Sequence, residues 1–127
     1  MVDHLGLLIA GLVSAASCSD RDGLDALLYY HDRGKNIPKK IFGDQGYSGS
    51  SMKERIRRYG IELETVKRRE KAGFTLEARR WIVERTFAWL GKFRRLSKDY
   101  EQMSHTSMSM IYLAMIRLML KRLNAFN

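Results

Sequence analysis

An α/β fold is what this sequence predicts, and three observations carry the prediction. Short runs at Leu5 to Ser17, Lys40 to Asp44 and Ile61 to Val66 have the length and composition of strands. Stretches with apolar residues at helical spacing separate them, and the C-terminal half carries two longer amphipathic segments. Strand, helix and strand in succession suggest a parallel crossover.

The run from Leu5 to Ser17 is interrupted by Gly6 and Gly11, which costs a helix more than a strand, so it predicts a buried strand. Ser19-Asp20-Arg21-Asp22-Gly23 offers N-cap residues for a helix that carries Leu24, Leu27 and Leu28 through about Asp32. Gly34 ends it, Pro38 enforces a break, and Lys40-Ile41-Phe42-Gly43-Asp44 follows as a short strand ending on a carboxylate. Ser50 and Ser51 can cap a second helix, Met52 to Tyr59, closed by Gly60 before the alternating strand Ile61 to Val66. Thr75 caps a long helix with Leu76, Ile82, Val83, Phe87 and Leu90 as its apolar stripe, which places Glu84 on a helix. The last helix, about Ser104 to Leu123, puts Met108, Ile111, Met115, Leu118 and Met119 on one face and Arg117, Lys121 and Arg122 toward its C-terminus.

With 127 residues, 45% of them hydrophobic, the chain has the size of one domain. Its single cysteine, Cys18, forms no internal disulfide and reads as a small buried hydrophobe in a reducing cytoplasm. No basic residue precedes the N-terminal apolar run, so no signal peptide is expected. The run from Met110 to Leu120 contains Arg117 and falls short of the roughly 20 residues a bilayer needs, so no membrane partner is expected. The formal charge is +9, and all of the excess lies between Lys53 and Lys98, where 15 Lys and Arg face 6 Glu. Such a concentration is the usual footprint of a nucleic-acid partner, although an acidic protein or plain solubility would account for charge alone.

Two carboxylates stand in contexts that could carry chemistry. Asp44 would end a strand at the edge where open α/β sheets place ligands, between two glycines that let a phosphate approach; Asp44-Gln45-Gly46 also reads as an ordinary turn. Glu84 lies on an otherwise apolar helix, where Arg80 at i, i−4 could serve it as a simple salt-bridge partner. Taken together, carboxylates from different elements are what a pair of hard cations about 4 Å apart requires.

Asp20-Arg21-Asp22-Gly23, Gly43-Asp44-Gln45-Gly46-Tyr47 and the run Arg80-Trp81-Ile82-Val83-Glu84-Arg85-Thr86-Phe87-Ala88-Trp89-Leu90, followed by Phe93-Arg94-Arg95-Leu96, carry a family likeness. The chain from Asp3 onward resembles the C-terminal part of bacterial insertion-sequence transposases of the DDE type. The resemblance implies a partial ribonuclease H-like fold, a mixed sheet with flanking helices that lacks the first strand, plus a C-terminal helix. Asp44 and Glu84 then match the family's second catalytic Asp and its catalytic Glu, with Mg²⁺ or Mn²⁺ as cofactor, and Arg80 matches an Arg that contacts DNA. Arg85 would neutralise phosphate, and Lys67, Arg68, Arg69, Lys92, Arg94 and Arg95 would contact the backbone of duplex DNA at transposon ends and target.

The likeness departs from the family pattern in two places. The first catalytic Asp belongs upstream of Asp3, so the expectation is a truncated chain, working with a second copy or a complementing upstream fragment, or else an inactive DNA-binding remnant. The Tyr and Lys that flank the family's Arg and Glu are replaced here by Glu77 and Gly91, with Lys92 as the nearest substitute. The expected setting is a bacterial cytoplasm, in association with the nucleoid.

Overall fold

The computed structural model describes residues 1–31, 37–66, 78–98 and 100–125, with side chains for all of these except 78–80. The chain divides into two units, Ser14–Thr75 and Met1–Val13 with Leu76–Asn127.

Within Ser14–Thr75, helix α1 (Asp20–His31) begins where the capping residues predict. The Ser19 hydroxyl accepts from the Asp22 amide at 3.2 Å and donates to the Asp22 carboxylate at 2.7 Å, a reciprocal bond that satisfies a donor the first turn would otherwise leave open. Strand β1 (Lys40–Gly43), helix α2 (Ser50–Arg57) and strand β2 (Glu62–Thr65) follow, and the two strands pair in parallel with Ile41 opposite Leu63. The crossover expected from the sequence therefore exists, but one element later: the strand ending at Asp44 pairs with the strand after it. Among the described residues the sheet is two-stranded and parallel, where a mixed sheet was expected.

Leu28 from α1, Met52 and Ile56 from α2, and Ile61 and Leu63 at β2 form the core of this unit, with Leu24, Ile41, Tyr47 and Tyr59 packed against it. Ile56 is completely buried, and burying such a side chain contributes about 1.5–3 kcal/mol. Helix α2 starts at Ser50, two residues before the expected Met52, and ends at Arg57. Gly49 is the N-cap, at a φ of +115° that disfavours any side chain, and makes no side-chain cap bond; Ser50 and Ser51 lie in the first turn. Cys18 is exposed, in the turn closed by its amide on the Ala15 carbonyl, and is not the buried hydrophobe expected.

In the other unit, helix α3 (Ala78–Leu90) and helix α4 (Ser104–Asn124) are both present. Thr75, the expected cap of α3, lies outside the described residues. Ser107, Ala114 and Met115 are buried on α4 and Met108, Ile111, Leu118 and Met119 half-buried, the stripe the helical spacing predicts. The predicted strand Leu5 to Ser17 does not form. Asp3 captures the chain locally: its Oδ1 accepts from the amides of Leu5 (2.9 Å) and Leu7 (2.7 Å), donors that a strand would have offered to a neighbour. Gly6 reverses the direction at φ +79°, leaving a single antiparallel bridge between Val2 and Leu8.

Candidate catalytic carboxylates and basic surface

Asp44 follows β1 directly and caps the short 3₁₀ turn Gln45–Tyr47, its Oδ1 accepting from the Gly46 amide at 2.9 Å. The residue is exposed, and its Oδ2 has no protein partner among the described residues. Turn residue and ligand are thus compatible roles, one for each oxygen. Tyr47, at the end of the turn, packs on the core, and its phenol is held above the ordinary value of 10.0 by burial first and then by the charges of Asp20 and Asp44.

Glu84 is exposed on α3, roughly opposite the buried Thr86, because two residues turn a helix by about 200°. The Thr86 hydroxyl reaches the Gly6 carbonyl at 2.7 Å and the Ile82 carbonyl at 3.0 Å, so it anchors α3 to the N-terminal turn. Only a glycine permits this approach: a Cβ at residue 6 would stand 2.9 Å from the Thr86 oxygen and 3.2 Å from the Trp89 ring. Arg85 lies between the two tryptophans, its guanidinium carbon 4.7 Å from the Trp81 ring centre and 5.0 Å from that of Trp89, and Arg122 of α4 covers Trp89 at 4.3 Å. Its Nε is buried without a hydrogen-bond partner. Arg85 is therefore engaged in cation–π stacking, a role the sequence reading missed although the i, i+4, i+8 spacing of Trp81, Arg85 and Trp89 encodes it.

Lys92 and Arg94 are exposed after α3. Arg95 is bound to Glu101, with its Nε 3.1 Å from the carboxylate, and covers Tyr100 at 5.6 Å. Arg94, Arg95 and Tyr100 line a shallow concavity of about 380 Å³. Lys67, Arg68 and Arg69 lie outside the described residues, as does the side chain of Arg80.

Residues 41–121 match the family model described as a transposase DDE domain, a stretch that contains Asp44, Glu84 and every basic residue expected to contact DNA. The chain belongs to the DDE-domain transposases. Over 65 residues it is also 42% identical to a Burkholderia cepacia protein assigned as a transposase for insertion sequence element IS402, a match covering 51% of this chain and 31% of that relative. It thus spans about a third of the length of the curated relative it matches. No solved structure matches it significantly.

Members of this family normally use a divalent metal, and the donors fit one in kind. Exposed carboxylate oxygens suit a hard cation that keeps several waters and takes one or two carboxylates together with substrate phosphates. Asp44 and Glu84 belong to different units, however, and among the described residues no three His, Cys, Asp or Glu side chains gather to hold a metal ion.

Proposed function

We propose that this DDE transposase chain contributes the second and third carboxylates of a ribonuclease H-like catalytic site that cuts transposon ends and joins them to target DNA. The carrying observation is Asp44, which directly follows a parallel strand, uses one carboxylate oxygen to shape its own turn and leaves the other open to solvent. Asp44 and Glu84 would hold Mg²⁺ or Mn²⁺, which when bound polarises the scissile phosphate and lowers the pKa of the attacking water or hydroxyl. Two ions need one further carboxylate beside these two. Lys92 and Arg94, with Arg80 and Lys67 to Arg69, would hold duplex DNA by its phosphates. Arg85 would support this surface through α3, its guanidinium faces being covered by indole rings.

A second reading, an inactive remnant that binds DNA without cutting, is favoured by the lack of a three-carboxylate cluster among the described residues. Plasmid nicking with Mg²⁺ separates the two. Nicking by the chain, abolished by Asp44→Ala and by Glu84→Ala, supports the catalytic reading; DNA binding with no nicking transfers support to the remnant. Nicking that survives both substitutions removes the site assignment.

A further inference from the structure

We infer that Arg21 is the positioning residue of the Asp44 turn, an inference that rests on the reading of Asp44 as a functional carboxylate. Arg21 lies in the first turn of α1, yet its guanidinium reaches 25 and 27 residues along the chain. Its Nε donates to the Gly46 carbonyl at 2.9 Å and its Nη2 to the Ser48 carbonyl, also at 2.9 Å. Those carbonyls belong to the residue whose amide Asp44 caps and to the residue that closes the same 3₁₀ turn. The guanidinium fork thus holds the turn from outside while Asp44 Oδ1 holds it from within, and the direction left to Oδ2 follows from both.

The rigid fork explains why an arginine stands here. Two donors at fixed separation can meet two carbonyls on one turn, whereas an ammonium on a flexible stem is a point charge that fixes neither. The base of the fork is itself fixed. Neighbouring Asp22 is held by Ser19 and by Arg55 of α2 at 3.1 Å, so the first turn of α1 is tied to the crossover helix. The motif Asp20-Arg21-Asp22-Gly23 thereby acquires a division of labour, Asp22 for the helix start and Arg21 for the turn that bears Asp44.

The test is nuclear magnetic resonance of the full chain, reading the Asp44 carboxyl carbon and the Gly46 amide proton in Arg21→Met and Arg21→Lys. Both resonances should move toward unstructured values in Arg21→Met while the core amides of Ile56 and Leu63 stay in place. The population of the closed turn should fall roughly thirtyfold, as expected for losing two hydrogen bonds of ordinary net strength. Arg21→Lys should move the same two signals in the same direction by less. Unmoved Asp44 and Gly46 signals in Arg21→Met overturn the proposal; if that variant fails to fold, an Arg21→Lys spectrum identical to wild type overturns it. Added Mn²⁺ supplies a separate arm: broadening of the Asp44 carboxyl carbon in wild type, weaker in Arg21→Met, extends the role to metal binding. Failure of Mn²⁺ to broaden that carbon in wild type counts against Asp44 as a ligand and leaves the decision on Arg21 to the metal-free spectra.

Discussion

Tyr47 joins the Asp44 turn to the core, and its titration gives the turn a pH signature. The folded-state phenol titrates above 10.0 because burial and the nearby carboxylates of Asp20 and Asp44 oppose its charge. A raised folded value means the neutral phenol is favoured in the native state, so its contribution is complete below the unfolded value and is lost as pH rises through the folded one. Wild-type stability to urea should therefore fall as pH rises above about 10, and Tyr47→Phe should fall less over the same range. Equal losses would mean that the phenol does not feel this environment. Gly6 carries the other residue-scale prediction. Gly6→Ala must adopt φ +79° with a methyl 2.9 Å from the Thr86 oxygen, which should cost about 2 kcal/mol in urea unfolding. A loss below the precision of the measurement would contradict the close approach of the N-terminal turn to α3.

At the scale of elements, what was legible in the sequence is what local physics decides. The buried stripe of α4 follows from helical spacing, β1 and β2 follow from short apolar runs, and α2 between them follows from its serines and the closing Gly60. The N-terminal run misled twice: Leu5, Ile9 and Leu12 are exposed, and hydrophobicity does not say how a segment's amides are satisfied, so one carboxylate, that of Asp3, converts the expected strand into a turn. Strand partners are a non-local choice, so the crossover was placed one element too early. At the candidate site, Asp44 was legible as the turn residue it is, a role compatible with the ligand role proposed for it, whereas the contacts of Arg21 span too many residues for any local pattern to reveal. The Arg85 stack was encoded by spacing but hidden by the habit of reading basic residues as free charge. Since the chain has only two tryptophans and both flank Arg85, intrinsic fluorescence reports on this stack directly. Arg85→Leu should change the tryptophan emission, while Lys92→Ala, at an exposed position beyond α3, should leave it as in wild type.

For the whole molecule the governing quantity is the excess of positive charge, +9 in total and confined in sequence to Lys53 through Lys98. No described helix is long and apolar enough to cross a membrane, and family membership makes DNA the proposed partner of the basic segment. Phosphate contacts release counterions, so the logarithm of affinity should fall linearly with the logarithm of salt concentration, by about 0.9 in slope for each phosphate neutralised. The structure ranks the residues within that sum. Lys92 and Arg94 are exposed, and the double variant Lys92→Ala with Arg94→Ala should reduce the slope by about 2 in fluorescence anisotropy on a short duplex. Arg95 is already paired with Glu101, so its charge is partly neutralised before DNA arrives, and Arg95→Ala should change the slope by less than Lys92→Ala or Arg94→Ala alone. The comparison holds overall charge constant, since each single variant removes one positive charge. If all three lower the slope equally, net charge alone sets the affinity and the basic turn after α3 has no defined contact surface; if Arg95→Ala has the largest effect, DNA displaces Glu101 and the ion pair is a gate.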